Sequence, residues 1–170
     1  SHPKLPNLTL MTYNVGFGAG INGLKTQQSK QTIKRNLTTI IEQINTQKID
    51  ICAIQEIDIR SKRSHYIDQI KQIAENTPLK YVALGYTWDK AWVPFPTTLN
   101  FKTHFGPTVA GQAIFSRYPI RYQEILRFEK PAEQSWLKKQ YYLDRIAQTV
   151  QIDWPINEQE TTPIYLINVH

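Results

Sequence analysis

Between residues 29 and 47 the apolar side chains fall at Ile33, Leu37, Ile40, Ile41 and Ile44, with polar residues filling the positions between them. That spacing predicts an amphipathic helix laying one face on a sheet. The signal returns over 64–76 through Ile67, Ile70 and Ile73 and predicts a second helix. Around these segments the pattern changes. Residues 8–15 are rich in β-formers and run into Gly16-Phe17-Gly18-Ala19-Gly20, which reads as a strand entering a flexible loop. Residues 50–55 are almost continuously apolar, as expected of a strand buried on both faces, and they deliver Gln55-Glu56 to its end. A third strand is predicted over 80–86.

The order strand, helix, strand, helix, strand argues for an α/β fold with some parallel pairing. After Thr87 the helical signal stops. Residues 88–107 read as a long loop bearing aromatics and prolines, and shorter strands are predicted over 112–116, 121–128, 144–152 and 164–169. Neither a repeat nor an interdomain linker interrupts the pattern, so 170 residues form one domain.

Composition narrows the classes. At 41% apolar and 11% aromatic the chain has the make-up of a globular domain with a core, which excludes disordered, collagenous and coiled-coil readings. No apolar run approaches the ~20 residues of a membrane helix, and Ser1-His2-Pro3-Lys4 lacks the apolar stretch of a signal peptide. The expectation is a soluble chain whose compartment stays open. One cysteine, Cys52, excludes an internal disulfide and a thiolate zinc site; lying in an apolar run, it reads as a small buried hydrophobe. The net charge of +6 fits an anionic partner such as nucleic acid, phospholipid or a phosphate ester.

The candidate chemistry gathers at strand ends. Asn14 and Glu56 each close a predicted strand, the position where ligand sites of α/β sheets collect, and together they offer hard oxygen donors suited to magnesium or manganese. Spacing alone leaves a helix cap or a solvated turn equally open. Arg60, Lys62 and Arg63 form a basic cluster that reads as solvated surface or as a contact for a phosphate backbone. Trp88, Trp92, Phe95, Phe101, His104 and Phe105 would stack on bases, enter a membrane interface or pack over the sheet edge. His65 and His104 lack paired ligand spacing and read as solvent or core histidines.

Four segments occur together in a familiar order: Thr12-Tyr13-Asn14-Val15; Asp50-Ile51-Cys52-Ala53-Ile54-Gln55-Glu56; Gly111-Gln112-Ala113-Ile114-Phe115-Ser116-Arg117-Tyr118-Pro119-Ile120; and Ile164-Tyr165-Leu166-Ile167-Asn168-Val169-His170. In that order and spacing the chain resembles the endonuclease/exonuclease/phosphatase superfamily, and within it bacterial metal-dependent hydrolases. The resemblance implies a DNase I-like α/β sandwich, of which residues 1–170 supply roughly the first half as a mixed sheet with flanking helices, incomplete at the carboxyl end. It implies that Glu56 binds Mg2+ or Mn2+, that Asn14 stands beside the metal and the scissile phosphate, and that His170, the histidine of an Asn-x-His motif, donates to a phosphate oxygen. Arg145 falls where many members carry a basic residue.

The reaction implied is hydrolysis of a phosphodiester or phosphomonoester by in-line attack of water, on nucleic acid, phospholipid or a small phosphoester. The family's later Asp-x-Asn and Asp-His pairs have no counterpart in these residues. The chain alone is therefore expected to be inactive and to self-associate through its open sheet. The alternative is a non-catalytic module on the same fold that binds nucleic acid or phospholipid.

Overall fold

The computed structural model describes residues 7–21, 28–94, 104–129 and 144–170. Within them the chain forms strands β1 (Leu10–Asn14), β2 (Ile51–Asp58), β3 (Tyr81–Val93), β4 (Gly106–Ser116), β5 (Ile120–Arg127), β6 (Ile146–Pro155) and β7 (Thr161–Val169), with helices α1 (Lys30–Thr46) and α2 (Gln69–Asn76). The strands make two sheets, one in the order β1-β2-β4-β3 and the other β5-β6-β7.

The first helix starts where its cap dictates: the Ser29 hydroxyl accepts from Thr32 N at 3.1 Å, and Ile33, Leu37, Ile40 and Ile44 bury the predicted face. The second is shorter than its periodicity suggests. His65 and Tyr66 take positive φ angles of 56° and 58°, which no α-helix admits, and Asp68 then caps a fresh start by accepting from Lys71 N. Ile67 thus packs from the approach to the helix and not from the helix itself.

β2 is buried on both faces, as its apolar run predicts. Cys52 and Ile54 join the core under α1 and α2, whereas Ile51 and Ala53 meet Val150 and Ile152 of the other sheet. Burial pushes the Cys52 thiol up to about 12, so it stays protonated and inert at neutral pH. The parallel pairing foreseen from the alternation is that of β1 with β2; β4 runs antiparallel to both β2 and β3.

Where the expected loop over 88–107 is described, strand occupies its two ends. β3 continues to Val93 and pairs with β4 from Gly106 onward, with register shifts between Tyr86 and Trp88 and between Lys90 and Val93. Each shift moves the buried positions to the other parity, which erases the alternation that would have marked a strand. Phe95 and Phe101 lie outside the described residues. The other aromatics of the segment pack: Trp88 and Phe105 meet edge to face at 6.4 Å, and Trp92 stands 6.1 Å from His104.

The basic cluster also differs from both of its readings at one member. Arg63 is buried and grips the fully buried Asp58, with Nη2 2.7 Å from Oδ1 and Nε 3.1 Å from Oδ2. Its guanidinium lies 4.0 Å from the Phe17 ring centroid, 4.8 Å from Phe105 and 5.0 Å from Trp88. It holds the turn after β1 against the end of β2, the middle of β3 and the residue before β4.

Candidate active site

Three elements bring their ends to one place. β1 ends on Asn14, whose Oδ1 accepts from Gly16 N at 3.0 Å, so the turn leaving the strand fixes the amide with its NH2 toward Glu56 and His170. β7 leads directly into His170. β2 supplies Glu56 through a bulge. Ile54 pairs with Ala113 and Ile57 with Gly111, so Gln55 and Glu56 together stand opposite Gln112 alone. Within the bulge Glu56 adopts a φ of 53°. A left-handed conformation at a non-glycine residue costs of order 1–2 kcal/mol, and here it turns the carboxylate out of the sheet toward the end of β1.

The three side chains meet. Asn14 Nδ2 donates to Glu56 Oε1 at 3.0 Å and lies 3.0 Å from His170 Nε2, and that nitrogen is 3.3 Å from Glu56 Oε1. Nε2 accepts from the amide in the tautomer that leaves it without a proton and can donate to the carboxylate when it carries one. The Glu56 carboxylate is neither buried nor sealed in an ion pair, with 35% of its side chain open to solvent against 42% for His170. A phosphate ester reaching this point would meet a carboxylate, an amide NH2 and an imidazole together.

The set suits a hard dication of limited appetite for protein ligands. Among the described residues no group of three or more His, Cys, Asp and Glu side chains converges. Magnesium is held by one or two carboxylates together with waters and substrate oxygens, and one half-exposed glutamate fits that requirement. Asn14 had two expected roles, metal ligand and phosphate contact. Its Oδ1 is engaged by Gly16 N and its Nδ2 is turned toward Glu56.

The fourth candidate lies at the end of the second sheet that carries His170, since Ala147 of β6 pairs with Val169 of β7. Arg145 immediately precedes β6, with an exposed side chain and a carbonyl that accepts from Phe128 N at 2.9 Å. Hydrogen bonds join Asn14 to Glu56, His170 and Gly16.

Beneath the cluster lies a layer that the candidate list omits. Between the sheets the core is apolar at Ile51, Ile114, Val150 and Ile152, but at the site end it turns to amides. Gln55 Nε2 donates to Asn168 Oδ1 at 2.6 Å and to Thr12 Oγ1 at 3.2 Å; Gln112 Nε2 donates to Asn168 O at 2.6 Å. A detectable signal existed: Gln55, Gln112 and Asn168 are polar residues on the inward parity of otherwise apolar strands.

The comparisons with known proteins agree with this architecture. Three solved structures superpose over nearly the whole chain. An endonuclease/exonuclease/phosphatase from Beutenbergia cavernae has a TM-score of 0.60 at 17% identity, over 94% of this chain and 37% of that one. An endonuclease/exonuclease/phosphatase family protein from Leptotrichia buccalis has a TM-score of 0.55 at 15% identity, over 96% and 55%. A third, from Bacteroides thetaiotaomicron, has a TM-score of 0.53 at 16% identity, over 98% and 50%. At such identities the likeness is one of fold, and the chain spans between about a third and just over half of these proteins' lengths. No curated protein sequence matches it. The model of the Endonuclease/Exonuclease/phosphatase family matches residues 11–149, a span that begins in β1, includes the bulge bearing Glu56 and ends within β6. On that match, and on the sandwich half that these strands build, the chain belongs to the endonuclease/exonuclease/phosphatase family.

Proposed function

We propose that this chain carries one half of a divalent-metal-dependent phosphoesterase site, in which water attacks a phosphodiester or phosphomonoester in line. The observation that carries the reading is the strained bulge of β2, which places the Glu56 carboxylate within 3.0 Å of Asn14 and 3.3 Å of His170. Family membership supplies the coarse reaction, since its members act on phosphoesters. Glu56 would hold Mg2+ or Mn2+. Bound there, the cation would polarise the phosphoryl oxygen and offset the charge that develops in the transition state.

The chain's own groups have separate tasks. Asn14 donates to a phosphate oxygen from an amide fixed by Gly16, so little reorientation is needed on binding. His170, protonated, donates to a second oxygen and stabilises the negative charge there. Arg145 adds a positive charge at the same end of the second sheet. The substrate is an anionic ester, as the net charge of +6 favours: nucleic acid, phospholipid or a small phosphoester.

No group among these three is placed to deprotonate a water without giving up another role, and for this reason the 170 residues alone are proposed to be inactive. The test separates binding from turnover. Mn2+ added to the labelled chain should broaden the resonances of Asn14, Glu56 and His170 before any others, and EDTA should restore them. Hydrolysis of DNA, RNA, a nitrophenyl phosphodiester and a phospholipid is then measured with metal and with EDTA, in this chain and in its longest natural form. Broadening centred elsewhere, or metal-independent turnover, would remove the reading.

Self-association belongs to the same proposal. β1 and β7 are edge strands on one side of the sandwich, since β2 lies over β7 and β3 over β5. β7 exposes Tyr165, Ile167 and Val169 on its outer face, and β1 exposes Leu10 and Tyr13. Unpaired edges beside apolar side chains are templates for strand addition. Sedimentation velocity should show mass rising with concentration; a strict monomer at high concentration would contradict it.

A further inference from the structure

We propose that Asn168 is the positioning residue of this site, a buried joint that sets the imidazole of His170 and the carboxylate of Glu56 at their working distance. It rests on the reading above for the use of that cluster, but not for its geometry.

Asn168 is 2% exposed and stands two residues before His170 on the inward face of β7. Beyond its ladder pairing with Gln148 of β6, it is hydrogen-bonded across to the other sheet. Oδ1 accepts from Gln55 Nε2 at 2.6 Å, its carbonyl accepts from Gln112 Nε2 at 2.6 Å, and Nδ2 donates to Ile54 O at 3.3 Å and approaches Ala113 O at 3.5 Å. These partners are the residues that define the bulge. Ile54 and Ala113 form the last regular pair before it, Gln55 lies in it beside Glu56, and Gln112 faces it from β4. A single residue, through its side chain and its carbonyl, therefore ties together both halves of the cluster, the strained segment that aims Glu56 and the strand end that carries His170.

An apolar tier would pack the sheets together equally well, as Val150, Ile152 and Ile114 do one layer away. Apolar contacts are non-directional and tolerate sliding of one sheet over the other, whereas hydrogen bonds of fixed length do not. The layer is also costly. Among the described residues, Gln148, fully buried on the same face of β6 as Val150, finds no hydrogen-bond partner for either side-chain polar atom, and Gln112 finds none for Oε1. Unpaired buried amides oppose folding. A layer retained against that cost is better explained by the register it imposes than by cohesion.

The test reads geometry and needs no turnover. In the labelled chain, cross-relaxation is measured between the Asn14 side-chain amide protons and the ring protons of His170, which the 3.0 Å contact makes strong. Asn168→Ala should abolish the cross-peak. Gln55→Leu, which removes the donor from the opposite sheet, should do the same, and it decides the matter should Asn168→Ala not fold. Val150→Ala, a cavity in the neighbouring apolar tier, should keep the cross-peak while lowering stability. A cross-peak that survives in folded Asn168→Ala or Gln55→Leu overturns the proposal, as does its loss in Val150→Ala or its absence from the unsubstituted chain. Undiminished metal-dependent hydrolysis by Asn168→Ala in the longest active form of the chain, with these geometric results intact, would count against the functional reading alone.

Discussion

Replacing Glu56 with alanine is expected to lower metal-dependent hydrolysis by ~10³-fold or more in the longest form of the chain that turns over substrate, because it removes the only acidic group of the cluster. The fold should survive. Glu56 is half-exposed, it contributes no core contact, and its neighbours Asn14 and His170 remain reachable by water. The backbone supplies an internal control. At a φ of 53°, alanine retains the clash of a Cβ with the left-handed conformation, whereas glycine does not. Glu56→Gly should therefore be as inactive as Glu56→Ala and yet more stable than it by ~1 kcal/mol, the part of the strain that the Cβ imposes. Urea unfolding of the two variants measures the difference. Equal stability would mean that the bulge is relaxed and that the carboxylate is not held there by strain; unchanged turnover in either variant would take Glu56 out of the metal role.

How much of this could be read from the sequence depends on the range over which each signal acts. α1 and the doubly buried β2 are legible because burial repeats every 3.6 or every residue within a single element, and the core at Ile33, Leu37, Ile40, Ile44 and Ile54 follows directly. The paired ends of β3 and β4 are legible as strands over 80–86 and 112–116, but their extension beyond Tyr86 is not, since two bulges change the parity of β3 and a period-2 search then finds only aromatics in no order. The three site residues are 42 and 156 positions apart in their pairings, so no local spacing could join them. Their association comes from the resemblance of four segments taken together. Neither route shows the bulge itself: Gln55-Glu56 looks like the end of a strand that in fact continues to Asp58.

The basic cluster shows the limit most clearly, and its buried member carries the largest expected effect on stability. Arg63→Met should destabilise the chain by about 3–5 kcal/mol, because it strands the Asp58 carboxylate, fully buried, without the guanidinium that neutralises it. Loss of the contacts with Phe17, Phe105 and Trp88 would by itself account for less, about 0.5–2 kcal/mol, and methionine recovers part of that by packing on the same rings. The charge term is the larger. It follows that the double variant Arg63→Met with Asp58→Leu should recover much of the loss, since a buried pair exchanged for apolar side chains is often neutral while a broken pair is not. The effect should reach the active site by a short route. Gln69 joins the two regions, its Oε1 accepting from Asp58 N at 3.0 Å and its Nε2 donating to Phe17 O at 2.7 Å, and Phe17 follows the Gly16 amide that fixes Asn14. Chemical denaturation of the two variants provides the measurement. If Arg63→Met alone costs under ~1 kcal/mol, the pair behaves as an exposed one and the cluster is solvated surface after all.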